Sequence, residues 1–425
     1  MRRALVIGGS TAALLLALGA SACGSSPLSV HSAARHGGAS VPGTTTAAVA
    51  TSPSSPGAQA GTSGSASTTL TWLAMNSRRH GYGMFERVAG DRCEAESGVT
   101  TDAGARFREA AAITHWNCNG NPPVTKIATD TAGDAFAYGP KLFIKPSGSR
   151  RWLASPQQGV VLAVSAQSNW IWLLLARCHG ASTTPDGCTL HLIESTNGGR
   201  HWRATPTEPS AVTRGSSAGP AAGAGQTWLL HFGVYTGYVL ASPAVNDSGK
   251  ADSASLWYTG NGGRHWEKRT LPCGMDALSD AVTKAGTTLA AVCAEEPTAG
   301  FQAKTTATSP DGGATWNLHV GCLMRPGCSN PLYDGYLGGI AAVSQYRFYL
   351  VGDRSSLLVT TDSGVRWHPV RPVIGDTSAG SGQVIFFGRA HGLVTGQGAA
   401  TGESIDIFRT SNGGKTWTKV VPGLS

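Results

Sequence analysis

The sequence has no apolar run long enough to cross a bilayer. Its N-terminal candidate, Ala4 to Leu18, is interrupted by Gly8 and Gly9 and falls short of the roughly 20 residues a helical span needs. No Cys-x-x-Cys pair and no His-Glu-x-x-His motif occurs, so zinc-ligand spacing is missing and no cofactor or metal is expected. Basic residues exceed acidic ones, 33 to 25, for a formal charge of +8. They form no cluster or stripe, which argues against a nucleic-acid partner. From Gly24 to Thr68 there is no acidic residue and almost no large apolar one. Such a segment cannot bury enough surface to offset its chain entropy and is expected to act as a flexible tether. Also lacking is any long stretch with the apolar period of a helix.

What the N-terminus does contain is an export pattern. Arg2 and Arg3 precede the apolar run and Ala20-Ser21-Ala22 offers small residues for cleavage, so residues 1–22 read as a signal peptide. Cys23 follows at once. "LGASAC" resembles a bacterial lipobox, with Ala20 where Leu is usual, and the mature chain is expected to carry a lipid on Cys23 at the outer face of the cell membrane. Ordinary signal peptidase would cut the same bond and leave a secreted product. Residues 23–67 then make the lipidated tether and residues 68–425 the folded part. Beyond Cys23 eight cysteines remain, Cys93, Cys118, Cys178, Cys188, Cys273, Cys293, Cys322 and Cys328. In an exported protein an even remainder points to disulfides, and the odd cysteine at the cleavage site points to the anchor.

The folded part repeats one turn. "SPDGGATW" and "STNGGRHW" share Ser/Thr-x-Asp/Asn-x-Gly-x-x-Trp, carried by Asp311 and Trp316 in the first and Asn197 and Trp202 in the second. The pattern returns with Asn261 and Trp266, with Asp362 and Trp367, and with Asn412 and Trp417. Two weaker copies are "TTDAGARF", with Asp102 and Phe107, and "KPSGSRRW", which keeps Trp152 and has Ser147 at the acidic position. Most steps between the aromatic positions are close to fifty residues, a period of propellers and solenoids. An Asx oxygen can accept from backbone N–H groups two residues on, and Gly supplies the positive φ that closes a hairpin. The aromatic that follows is expected to be buried between sheets, Trp316 among them. These residues are read as structural.

The motif resembles the Asp-box (BNR) repeat of sialidases, sortilin-type receptors, some xyloglucan-cleaving enzymes and photosystem II assembly factors. The resemblance implies an all-β fold, a seven-bladed β-propeller of four-stranded antiparallel blades, with the box at the turn between the third and fourth strands. Closure is expected from packing of the first blade on the seventh, aided by tether residues near Thr68. In that geometry the box turns share one face with the first-to-second turns. The opposite face carries the second-to-third loops and the blade connections, and all eight cysteines fall there. Neighbouring pairs are expected to bond, namely Cys93–Cys118, Cys178–Cys188, Cys273–Cys293 and Cys322–Cys328. The longest irregular segments, such as "CLMRPGCSNPLYDGYLGG", lie on the same face, and loops of that length are often functional. Candidate contact residues are Tyr333, Asp334 and Tyr336, grouped near Cys328, together with Arg325, Trp116 and Arg354; His179, Tyr235 and Tyr238 are further candidates.

The sialidase resemblance also implies an arginine triad, a Tyr/Glu nucleophile pair and an acidic proton donor. The first arginine of such a triad stands in a Phe/Tyr-Arg-Ile-Pro stretch, whereas "LAMNSRRHGYGMF" has Arg78 and Arg79 without it. Glu295 and Glu296 are the only adjacent carboxylates in the loops, and strand neighbours point to opposite faces, which suits no acid/base pair. The expected function is therefore a membrane-anchored, non-catalytic binding or scaffold propeller for an extracytoplasmic protein or glycan. The alternative is a divergent sialidase-like glycoside hydrolase.

Overall fold

The computed structural model describes residues 67–178, 188–205, 228–232, 235–241, 255–272, 279–294, 302–319, 332, 336–353, 357–370, 382–396 and 404–424. These residues build seven four-stranded antiparallel meanders, the blades of a single β-propeller, and no α-helix occurs among them. Blade one consists of β1 (Ser67–Met75), β2 (Gly81–Ala89), β3 (Arg92–Thr100) and β4 (Arg106–Asn117). Strands β5–β8, β9–β12, β13–β16, β17–β20, β21–β24 and β25–β28 follow as blades two to seven, within 126–154, 160–204, 228–269, 279–319, 336–369 and 383–420. In every blade the repeated turn joins the third strand to the fourth, as the resemblance implied.

The core is distributed over the seams between blades. Seven apolar clusters occur among the described residues, each drawing on two neighbouring blades. The alternation of side chains along a strand explains this, since both faces of each inner strand meet a neighbouring sheet. In β10 (Trp170–Cys178), Trp172 and Leu174 pack toward blade four, whereas Ile171, Leu173 and Leu175 pack toward blade two. The seventh cluster joins blade seven to blade one. Leu393, Ile405, Ile407 and Val420 meet Leu70, Leu73, Phe85 and Phe107 there.

Closure differs from the sequence-based expectation in one respect. The chain returns after blade seven as β29 (Gly423–Leu424), which pairs in parallel with Arg106 and Phe107 at the start of β4 and gives blade one a fifth strand. Residues 67–69 are not an added closing strand; they are the first residues of β1 and pair with Arg87 and its neighbours in β2. The seam is locked further by Leu70, whose N–H donates to Ser404 Oγ at 3.1 Å and whose carbonyl accepts from Ile405 N at 3.0 Å. Two short C-terminal residues with alternating polarity carry too little pattern to be read as a strand from sequence.

Each turn aromatic packs against the preceding blade. Phe107, Trp266, Trp367 and Trp417 are buried. Trp152, Trp202 and Trp316 are only partly buried, which corrects the expectation of burial at all three. The indole N–H groups divide differently. Trp367 and Trp417 donate to the carbonyls of Gly364 and Gly414, both at 3.1 Å, and Trp152 donates to Ser97 Oγ at 2.9 Å in blade one.

Candidate functional site

The repeated turns use up their own polar groups. In blade seven Thr410 Oγ1 donates to Asn412 Oδ1 at 3.0 Å and accepts from Gly414 N at 2.9 Å, while Asn412 Oδ1 also accepts from Thr416 N at 3.0 Å. The turns at Thr100, Ser195, Thr259 and Thr360 repeat this arrangement. The acceptor therefore reaches four residues ahead, not two. Two consecutive left-handed residues shape each of these turns outside blade two, and the first need not be glycine, because Ala103 and Ser363 both hold φ 62° there. In blade five, hydrogen bonds from the Thr315 hydroxyl and N–H and from Ser309 hold Asp311 well below the usual carboxylate range. His201 and His265 are exposed turn residues.

Blade two lacks the consensus and solves the turn with different groups. Lys145 occupies the Ser/Thr position, is buried, and places Nζ 5.1 Å from the Tyr82 ring centre. Burial pushes the Lys145 amine down, with Glu109 opposing. Asp134 Oδ1 accepts from Ser147 N at 2.6 Å, the N–H that the Ser/Thr hydroxyl serves in the regular turns, and Ser149 Oγ accepts from Arg151 N at 3.1 Å in place of the Asx oxygen. Asp130, also buried, accepts from Asp134 N at 2.8 Å, and burial pushes its carboxyl up. This set of charges braces a turn.

Tyrosines latch one blade to the next. Tyr238 in β14 (Thr236–Ala241) donates to Gly312 O at 3.2 Å, and Tyr349 in β22 (Phe348–Asp353) donates to Gly413 O at 2.6 Å. Both acceptors are turn carbonyls of the following blade. Tyr238 is thus a core residue and not a loop contact, which corrects its placement on the connection face. Tyr235 also belongs to the repeat-turn face, where its carbonyl accepts from Gly262 N at 2.7 Å. Tyr349→Phe is expected to cost about 0.5–1.5 kcal/mol of stability, the usual net value of such a bond. Urea unfolding measures it, and an unchanged midpoint would show that the latch contributes nothing.

On the connection face the structure shows Cys93 bonded to Cys118, with Cα atoms 5.1 Å apart. This disulfide ties the start of β3 to the chain leaving β4, as expected. Cys178 in β10 lies directly opposite Cys188 in β11 (Cys188–Ser195) in the backbone register, the placement the second pair requires. Cys293 is disulfide-bonded to a cysteine outside those whose side chains are described. Cys273, Cys322, Cys328, Arg325, Tyr333, Asp334, Arg354 and His179 lie outside the described residues, as do Glu295, Glu296 and Cys23. Tyr336 opens β21 (Tyr336–Ala342) opposite Asp353, at the end nearer the connections. Trp116 is half-buried against the seam of blades one and two, so only part of its ring is free for a partner.

The face carrying the repeated turns holds a feature that no linear motif announced. A cleft of about 510 Å³ opens where blade seven meets blade one, lined by Arg78, Arg79, Asp102, Phe387, His391 and Arg409 among others. Arg78 and Arg79 come from the turn between β1 and β2, and Arg409 from β27 (Asp406–Thr410). Positions 78 and 409 are adjacent only because the ring closes, so no spacing in the sequence could reveal the grouping.

No protein-family model matches this chain, and no curated protein does either. Solved propellers are similar to it in fold alone. YCF48 bound to a D1 peptide shares 16% identity over 82% of this chain and 94% of that one, with a TM-score of 0.45. YCF48 from Cyanidioschyzon merolae shares 12% over 84% and 96%, with a TM-score of 0.47. An ulvan lyase of family PL25, bound to a glucuronate–sulfated rhamnose saccharide, shares 11% over 83% and 96%, with a TM-score of 0.48.

Proposed function

We propose that this chain is a non-catalytic binding or scaffold propeller of the Asp-box type. It would be held at the outer face of the membrane by a lipid on Cys23 and would contact an extracytoplasmic protein or glycan through its connection face. One observation carries most of this reading. The Cys93–Cys118 bond fixes a loop and a strand exit on that face, whereas the polar side chains of the repeated turns are consumed in bracing the turns themselves. Rim loops held in shape suit recognition, because ordering them beforehand lowers the entropy cost of binding.

The mature chain, screened on a glycan array and against cross-linked envelope partners, is expected to capture a partner. Tyr333→Ala with Tyr336→Ala should weaken that capture without moving the unfolding midpoint. Hydrolysis of a fluorogenic sialoside, abolished by Asp334→Asn, would overturn the reading in favour of a glycoside hydrolase. The anchor has its own test. Mass spectrometry of the N-terminal peptide should find a diacylglyceryl group on Cys23, and an unmodified thiol would refute it.

A further inference from the structure

We propose that the cleft between blades seven and one is a second binding site, for an acidic saccharide whose sugar ring carries a carboxylate or sulfate. It lies on the face opposite the connections and is independent of the reading above.

Three guanidiniums converge there, and none has a carboxylate partner within ion-pair distance among the described residues, whose ion pairs all involve other side chains. Arg78 Nη1 lies 3.4 Å from His391 Nε2, and Arg79 Nε donates to Thr101 O at 3.3 Å, so two of the three are already oriented. Among the described residues one acid faces the cleft. Asp102 Oδ1 accepts from Arg106 N at 2.9 Å and from the Thr100 hydroxyl at 3.0 Å, so that oxygen is committed to its own turn. The balance is three fixed positive charges to one negative. Guanidinium forks match the geometry of planar carboxylates and of tetrahedral oxyanions, and uncompensated arginines grouped in a cleft gain most when such a group enters.

The rest of the lining favours a sugar over a peptide. Phe387 is half-buried and leaves part of its ring in the cleft, while the exposed hydroxyl groups of Ser411 and Thr418 stand beside Arg409. An apolar ring surface next to hydroxyls and guanidiniums fits a pyranose with one charged substituent. The volume is in the range of roughly 300–1,000 Å³ that small ligands occupy. A peptide would gain most by adding to a free strand edge. The edge strand on the blade-seven side, β28 (Thr418–Val420), offers only three residues, and the start of β4 is already covered by β29. Because the ligand would touch both sides of the ring's closing seam, its binding should also raise the unfolding temperature.

The test is calorimetric titration of the mature chain with a galacturonate trisaccharide, a sulfated disaccharide, inorganic sulfate and a Glu-rich hexapeptide. Ionic strength of about 20 mM keeps screening low. At least one of the two saccharides should bind, raise the melting temperature, and outcompete sulfate. Arg409→Ala and Arg78→Ala should each weaken binding about tenfold or more, with the melting temperature of the free protein unchanged because both side chains are exposed. Arg87→Ala, whose guanidinium pairs with Glu96 elsewhere in blade one, should leave binding intact. Equal affinity in the Arg78 and Arg409 variants, binding no tighter than sulfate, or tighter capture of the hexapeptide would each overturn the assignment. Capture through the connection face, tested with the Tyr333 and Tyr336 variants, can fail or succeed without affecting any of these outcomes.

Discussion

Phe107→Ala is expected to lower the free energy of unfolding by about 3–5 kcal/mol, the range for truncating a buried aromatic. The ring is fully buried. It meets Phe85 edge-on at 5.1 Å between centroids and packs with Leu393, Ile405 and Ile407 from the last blade. Its backbone is the partner of Leu424 in β29. The substitution therefore opens a cavity at the one seam where the first and last blades must find each other, and little around it can collapse to refill the space. Urea denaturation monitored by fluorescence gives the number, and a loss below about 1 kcal/mol would contradict the packing role. Trp316→Ala provides the contrast. That indole is partly exposed, so less of its surface leaves water on folding and its truncation should cost clearly less than that of Phe107.

The fold was legible in the sequence because its main determinant is periodic. A tight turn with two successive left-handed residues tolerates few sequences, and an aromatic that must fill an interblade seam recurs at a fixed offset. Even the copy with Phe107 in place of tryptophan could be placed by its spacing. Blade two was harder to read. Lys145 and Ser147 depart from the pattern, and the oxygens that replace the missing hydroxyl and Asx acceptors come from Asp134, in a different turn, and from Ser149. The interblade latches of Tyr238 and Tyr349 were invisible for a related reason. A tyrosine in an apolar strand looks like an ordinary core residue until the carbonyl of the next blade is seen beside its hydroxyl. Site residues were less legible than the fold. Trp116 stands at the end of β4 opposite Cys93 and is half-spent in packing, and the grouping of Arg78, Arg79 and Arg409 depends wholly on ring closure.

Replacing Cys93 and Cys118 together by alanine is expected to cost about 2–4 kcal/mol. The bond closes a loop with a sequence separation of 25, and in the chain-entropy account its main action is on the unfolded chain, whose freedom it restricts. In the folded state the two strands are held by their own ladder, so its remaining role there is to order the chain where it leaves β4. Residues of β3 and β4 are already paired from Arg92–Asn117 down to Val99–Arg108, and Cys118 N donates to Asp91 O at 2.9 Å. Two consequences separate this mechanism from simple loss of packing. The native blade should keep its strand pairing, so the affinity for any partner captured through the connection face should fall only by the cost of ordering the released chain exit. The denaturant slope should also rise, because the released unfolded chain exposes more surface. Cys93 is itself buried, so the serine variant, which places a hydroxyl in that site, should be less stable than the alanine one. A double alanine variant within about 0.5 kcal/mol of the parent would show that the ladder alone holds this edge. The disulfide would then have to be explained by resistance to proteolysis outside the cell.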